Sequence, residues 1–388
     1  MTPELAERLK SWRRHLHARP ELSGKETQTA AFVQERLREL AVPFVTGVGG
    51  TGIVATLRRA GSTHSVGLRA DMDALPILER SEAAHASMTP GVMHACGHDG
   101  HTVALLGAAA ELAGDPSWCG TVQLIFQPAE ENGAGAKAMI ADGLFRRFPV
   151  ERIFAFHNWP GVEAGTVAIH DGPVMAAGGR WTVTLYGRAG HAAAPHLTRD
   201  PIVAAGHLIV ALQTIVARNV DPLDSVVLSI GAINGGSVSN QIPSSVTLIG
   251  TLRTYRTEVR EMVVERMKRL IDSVAAGHDM RAEHEVLSTG RAIINTPAEA
   301  MLAAEAARIA GLAVRQDIGP STAGDDFAFL MQDRPGAYVW IGNGPSTADS
   351  ALHTPKYDFN DDVLPAAVSW MTQVAKLALQ PDRNEAGR

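Results

Sequence analysis

The period of the apolar positions changes along this chain. From residue 4 to residue 40 they recur at helical spacing, with a break near Arg19-Pro20, where proline disfavours helix in the residue before it. Strand-like runs then occupy 52–58, 65–70, 121–126 and 152–156, and helical patterns cover 100–113 and 134–142. Several of these runs are continuously apolar, as expected of strands covered on both faces. The alternation predicts an α/β layer fold with a largely parallel sheet. In such sheets chemistry gathers beyond the carboxyl ends of the strands.

The middle of the chain reads differently. Strand patterns at 180–186, 225–233, 246–254 and 280–287 enclose helical patterns at 201–218 and 258–276. That order, β-α-β-β-α-β, is the order of a ferredoxin-like unit. It predicts an inserted domain over 178–288, within an α/β domain made of 1–177 and 289–388. Ala177-Gly178-Gly179 at the junction reads as a hinge. A helix at 297–310, a strand at 337–341 and a helix at 361–379 resume the first pattern, and 381–388 reads as a frayed tail.

Composition narrows the function classes. At 388 residues the chain is long enough for two cores, and 45% hydrophobic with 20% charged residues fits a globular protein. A net charge of −6 without a basic block, and only 5% aromatics, argue against nucleic-acid binding. Residues 1–10 are charged and lack the apolar core of a secretory signal. No uninterrupted apolar run of about 18 residues predicts a membrane span. The two cysteines, Cys96 and Cys119, are too few for a disulfide framework, so a reducing cytoplasm is the expected home.

The chemistry concentrates in a few segments. Met93-His-Ala-Cys-Gly-His-Asp-Gly-His101 places Cys96 and His98 two residues apart, on one face if the segment is extended. Glu130-Glu131 follows a buried strand, His157 ends an apolar run and His353 lies in a late loop. Thiolate, imidazole and carboxylate are the side chains that bind divalent transition metals. Each has a plain alternative: a buried thiol, a solvated acidic pair at a helix start, a structural histidine. Together they suggest one site, with one glutamate of the pair ligating and the other serving as base. Asp71, Asp73 and Asp99 are candidates to orient ligating imidazoles. His191 and Asn240, in glycine-bearing segments of the inserted unit, could donate hydrogen bonds, and Arg253 could hold a carboxylate. A Cys96 nucleophile in a metal-free hydrolase, or an inactive sensor of acylated metabolites, remains open on these residues alone.

The same residues carry a resemblance. Arg14-His-Leu-His-Ala-Arg-Pro-Glu-Leu22, Arg69-Ala-Asp-Met-Asp-Ala-Leu-Pro76, the cysteine segment 93–101, Phe126-Gln-Pro-Ala-Glu-Glu131, Gly190-His-Ala-Ala-Ala-Pro-His196 and Asn240-Gln-Ile-Pro243 span nearly the whole chain. With them the chain resembles the M20 metallopeptidases, and within them the branch of hippurate hydrolases, N-acyl-amino-acid deacylases and auxin-conjugate hydrolases. The resemblance implies an α/β metallopeptidase-like catalytic domain with an inserted ferredoxin-like lid and dimerisation domain. It implies two divalent metal ions per subunit (zinc or manganese, with nickel or cobalt as options), held by Cys96, His98, Glu131, His157 and His353. Glu130 is then the general base, and His191 reaches the active site of a partner subunit in a homodimer, or in a dimer of such dimers. Asn240 and Arg253 are then contacts to the carboxylate of an N-acyl amino acid. A dipeptidase or carboxypeptidase acting through the same site is the nearest alternative. One departure is visible: the family's usual Glu-Asp-Phe is Asp325-Asp326-Phe327 here, one methylene shorter at its first position.

Overall fold

Thr2 opens the first helix, α1 (Pro3–His17), by accepting the Leu5 N–H on its hydroxyl, and Pro3 occupies the first turn, where its missing N–H costs nothing. The helix stops just before Arg19-Pro20. The chain re-enters helix at α2 (Thr27–Glu39), so the helical pattern over 4–40 is two helices, and the break expected near Arg19-Pro20 opens the short loop between them. The described residues of this computed structural model are 1–381; the tail expected over 381–388 lies, from 382 onward, outside them.

Five strands follow in the first half: β1 (Phe44–Val48), β2 (Gly52–Arg59), β3 (Ser65–Asp71), β4 (Gly120–Gln127) and β5 (Arg152–Pro160). With the two-residue β6 (Val167–Ala168) and the later strands Val314–Arg315 and Gly336–Gly344 they form one sheet. Its order is β1, β2, β4, β3, β5, Gly336–Gly344, β6, Val314–Arg315. The centre is parallel, β4 with β3, β3 with β5, and β5 with Gly336–Gly344. Antiparallel pairs flank it, β1 with β2 and β2 with β4 on one side, Gly336–Gly344 with β6 on the other. The parallel expectation therefore describes the middle of the sheet. The unpredicted β1, β6 and Val314–Arg315 are short, and their alternation is too brief to read.

Helix α3 (His98–Gly114) is apolar on nearly every side, the signature of a helix enclosed in a core. It packs against β3, α1 and the last helix, Leu364–Ala378, within the large apolar cluster that includes Leu9, Leu105, Leu124, Phe154 and Trp370. Its first turn thus lies deep in the protein, at the sheet end where β3 and β4 finish.

By its internal contacts the chain divides into two compact units. The first comprises Met1–Val174, Ile294–Gly319 and 325 onward; the second comprises Met175–Ile293 and Pro320–Gly324. The short return segment joins the second unit because Ser321 bridges to Met175, a pairing that no local pattern announces.

In the second unit the strands Ala177–Tyr186, Val226–Asn234, Ser245–Thr254 and Arg281–Ser288 and the helices Pro201–Asn219 and Thr257–Gly277 follow the expected β-α-β-β-α-β order. Taken in chain order the strands lie second, third, first, fourth across an antiparallel sheet, the ferredoxin-like arrangement. Both helices bury one face on it, through Leu208, Leu212 and Ile215 and through Val263, Met267 and Ile271. Pro201–Asn219 is, among the described residues, the one helix long and apolar enough by composition to cross a membrane, and here it covers a sheet. The segment 177–179, expected as a hinge, begins the strand Ala177–Tyr186, with Gly178 opposite Arg253 and Gly179 opposite both Leu252 and Ser288. Its glycine answers to packing: a Cβ on Gly178 would lie 2.4 Å from the Thr289 hydroxyl and 2.5 Å from an Arg253 guanidinium nitrogen.

Candidate metal centre

The expected ligands come together at the carboxyl end of the sheet. Cys96 does not reach its neighbour through an extended segment, as the two-residue spacing suggested. Gly97, at φ +89°, turns the chain into α3, and His98 opens that helix. No other residue fits there, because a Cβ on Gly97 would meet the Tyr357 hydroxyl at 2.4 Å and the Asn158 side chain at 2.5 Å. The turn leaves Cys96 Sγ 3.3 Å from His157 Nε2, and ligand atoms of Cys96, His98 and His157 lie within 4.8 Å of one another. His157 stands inside β5, opposite Trp340, rather than beyond the strand. Glu131 Oε1 is 3.8 Å from His98 Nε2 and 3.5 Å from His353 Nε2. His353 is the exposed member, in a left-handed loop position that its own N–H ties to the Ala95 carbonyl at 2.8 Å.

The histidine tautomers follow from their partners. His98 Nδ1 lies 2.9 Å from the Asp73 carbonyl and His157 Nδ1 lies 2.6 Å from the Asn158 carbonyl. A carbonyl only accepts, so each Nδ1 carries a proton and each Nε2 is the nitrogen turned toward the centre. His101 differs. Its Nε2 accepts the Asn158 N–H at 3.1 Å and its Nδ1 donates to Asp71 at 2.6 Å, so both nitrogens are spent. Although it crowds the centre, His101 is a support, and it was not foreseen in that role.

The expected orienting carboxylates divide. Asp73 Oδ1 and Oδ2 accept the backbone N–H groups of Glu130 and Glu131 at 3.1 and 3.0 Å, while its carbonyl takes His98. Asp71 orients His101 and pairs with Arg69. Asp99 turns away from the ligand imidazoles: it accepts from Arg13 Nε at 2.9 Å and His17 Nδ1 at 2.8 Å, both buried. Asp325 accepts from Arg69, from the Tyr338 hydroxyl at 2.6 Å and from the Phe327 N–H at 2.7 Å, so the shorter side chain is fully engaged. Asp326 binds Gln127 Nε2 at 2.6 Å, and its N–H faces Glu130 Oε1 at 3.4 Å. Arg69, Gln127 and Tyr338 were not singled out; an arginine inside an otherwise apolar strand was the available signal.

The electrostatics describe a site built for positive charge. Burial, then Glu131 and Glu130, push the Cys96 thiol well above its ordinary value. Burial likewise raises Glu130, with Asp325 and Glu131 adding to it, and lifts Glu131 to about 7. Burial pulls His98 down, but Asp71, Asp73 and Glu131 outweigh it and raise the ring to about 10. His98 Nε2 and Glu131 Oε1 are buried without a hydrogen-bond partner. Thiol, imidazole and carboxylate with ligand atoms within 4.8 Å of one another are a donor set that fits divalent cations.

The residues expected to touch substrate belong to the second unit. His191 and Asn240 are neighbours there: Gly190–His191 pairs with Gln241–Ile242, and the Asn240 carbonyl accepts the Ala192 N–H at 3.0 Å. His191 is exposed, and its Nδ1 accepts the Ala193 N–H at 3.0 Å. Arg253 is half-buried against Gly178.

Comparison with known proteins bears on this geometry. Residues 67–377 match the family described as Peptidase family M20/M25/M40. An N-acetyl-L-cysteine deacetylase of Bacillus subtilis is 41% identical over 374 residues, covering 96% of this chain and 88% of that protein. A hippurate hydrolase of Campylobacter jejuni is 38% identical, covering 95% of each chain. The crystal structure of a Bacillus subtilis protein described as a dinuclear metal-binding peptidase of the M20 family superposes with a TM-score of 0.87 at 32% identity, over 97% of this chain and 99% of that one.

Two stability predictions follow from the buried charges. Replacing Arg69 with Met leaves Asp71, Asp325 and Asp326 without their cation; denaturant titration should show a loss of about 3–5 kcal/mol. An unchanged midpoint and slope would show that the cluster carries no such load. For His17, burial lowers the ring but Asp99 and Glu79 outweigh it, raising it from 6.5 to about 9. A pKa raised on folding contributes stability in full below about 6.5, and that contribution is lost as the pH climbs through about 9. The Tm of the wild type should therefore fall more steeply across that window than that of His17→Gln, and parallel profiles would refute the assignment.

Proposed function

The chain belongs to peptidase family M20/M25/M40 and is a metal-dependent hydrolase of amide bonds, and on that footing we propose that its substrates are N-acyl amino acids. The observation that carries this reading is the placement of Glu130 and Glu131 side by side next to the candidate ligands Cys96, His98 and His157. The deacetylase and hippurate hydrolase named above, similar along nearly their whole length, support the acyl-amino-acid class.

In this reading Cys96, His98, Glu131, His157 and His353 hold two divalent cations. The thiolate favours zinc, and manganese, nickel or cobalt suit the remaining donors. Cations bound there would supply Lewis-acid chemistry, lowering the pKa of a water and polarising the amide carbonyl. Glu130 takes the proton of the attacking water and delivers it to the departing amine, yielding a carboxylic acid and a free amino acid. Its burial among other carboxylates, which raises its proton affinity, suits that double task. His191 donates to the oxyanion from a partner copy in a homodimer formed through the second unit. With Nδ1 accepting the Ala193 N–H, the ring holds its proton on Nε2, a free donor. Such donors are worth about 3 kcal/mol of barrier. Asn240 and Arg253 take the substrate carboxylate. Two free cysteines accord with the expected reducing, cytoplasmic setting.

Apo-protein titrated with single divalent metals should regain amino-acid release from N-acyl amino acids, hippurate included. Cleavage of dipeptides alone would move the assignment to a peptidase. Glu130→Ala should bind metal as the wild type does and lose about 10²–10⁴ in kcat; wild-type turnover would remove it as the base. Mixing inactive Glu130→Ala and His191→Ala subunits should restore activity, since each supplies what the other lacks, and no recovery on subunit exchange would place His191 outside the partner's site.

A further inference from the structure

The mechanism uses the side chains of Glu130 and Glu131, and their placement depends on a turn that is costly to make. Ala129, just before them, is buried and sits at φ +53°, a left-handed conformation that costs a non-glycine residue roughly 1–2 kcal/mol. Three successive N–H groups, of residues 129, 130 and 131, are each taken by a carboxylate. Asp73 accepts the last two. The first goes to Glu26 Oε1 at 2.8 Å.

Glu26 is an unusual residue for its place. It stands at the N-cap position of α2, yet its side chain makes no capping bond; Glu21 caps that helix instead, accepting the N–H groups of Gln28 and Thr29 at 2.8 and 2.9 Å. The Glu26 carboxylate is completely buried, and no Lys, Arg or His of the described residues pairs with it. Its partners are the Gly24 N–H at 2.7 Å, the Ala129 N–H and the Thr51 hydroxyl at 2.6 Å. A buried carboxylate with no counter-ion is expensive, and three donors satisfy it at the junction of α2, the start of β2 and the turn after β4. From the same loop Ser23 donates to Asp73 Oδ2 at 2.6 Å, and the Glu21 carbonyl accepts the Ala74 N–H at 2.9 Å. The loop 21–26 is thereby stitched to both segments that hold the glutamate pair, and it lies outside the 67–377 stretch that matches the family.

We propose that Glu26 is a positioning residue for the catalytic centre: through the Ala129 N–H, and with Ser23 steering Asp73, it holds the left-handed turn that aims Glu130 and Glu131. The proposal rests on the roles assigned to those two glutamates above. A residue that merely stabilises the fold would act through global stability alone. A positioning residue acts on cation affinity and kcat beyond what its stability loss accounts for.

The test compares Glu26→Ala, Glu26→Gln and Glu21→Ala in the full chain. The readouts are Tm, calorimetric titration of chelator-stripped protein with Zn²⁺ and Mn²⁺, and kcat and KM on hippurate. Glu26→Ala should weaken metal binding by about 10–100-fold and lower kcat by a similar factor, with KM within about threefold of wild type. Glu26→Gln, whose amide oxygen can still accept the Ala129 N–H, should recover most of both. Glu21→Ala removes the α2 cap and should lower Tm while leaving metal affinity and kcat within about twofold. Wild-type metal affinity and kcat in Glu26→Ala, or losses that track Tm alike in Glu26→Ala and Glu21→Ala, would overturn the proposal. If Glu26→Ala does not fold, Thr51→Val, which strips only the hydroxyl on Glu26 Oε2, should show the same pattern more weakly, and wild-type values there would overturn it. Should the wild type release no amino acid from any acyl substrate, the substrate reading fails by itself, and the metal titrations still decide the role of Glu26.

Discussion

Like charges crowded into a poorly solvated space repel, and this structure places Asp71, Asp73, Glu130, Glu131, Asp325 and Asp326 together at one end of a sheet. Two carboxylates 4 Å apart repel by about 4 kcal/mol even at an effective dielectric constant of 20. The fold meets this load in three ways. Arg69, fully buried, neutralises Asp71, Asp325 and Asp326. Asp73 is spent on backbone N–H groups and on His98. Glu130 and Glu131 are left with raised proton affinity, facing the Cys96 and His98 donors, where positive charge from cations would relieve them. The chemistry of the centre is the part of this charge that the protein does not itself cancel.

The same economy shows in the imidazoles. A histidine can present only one lone pair when neutral, and which nitrogen holds it is decided by the partner of the other. Backbone carbonyls take the Nδ1 protons of His98 and His157, and these carbonyls belong to segments leaving β3 and lying in β5. Orientation of the donor set is thus inherited from the sheet. His101 shows the reverse case: equally buried and equally close, it is removed from the donor set because the Asn158 N–H uses its second nitrogen.

The two units divide the chemistry by residue type. The first holds the candidate ligands and Glu130, all within reach of the sheet. The second, a ferredoxin-like layer, carries His191, Asn240 and the cation Arg253. In the proposed function such groups would recognise an oxyanion and a carboxylate.

Much of this was legible along the chain, because local patterns and short motifs are written in consecutive residues. The α/β alternation, the β-α-β-β-α-β insertion and the segments carrying Cys96, His98, Glu130, Glu131, His157 and His353 all follow from periodicity and residue type. What only the tertiary structure decided concerns partners far apart in sequence. Asp99 and His98 are neighbours, yet one faces Arg13 and His17 and the other faces the centre, since successive side chains on a helix diverge by about 100°. The left-handed Gly97, the loss of His101 to Asn158 and the bracing of Ala129 by Glu26 depend on contacts 57 to 260 residues apart. Residue type announces which groups can bind a cation or carry a proton; only three-dimensional packing settles which of their lone pairs and protons remain unspent.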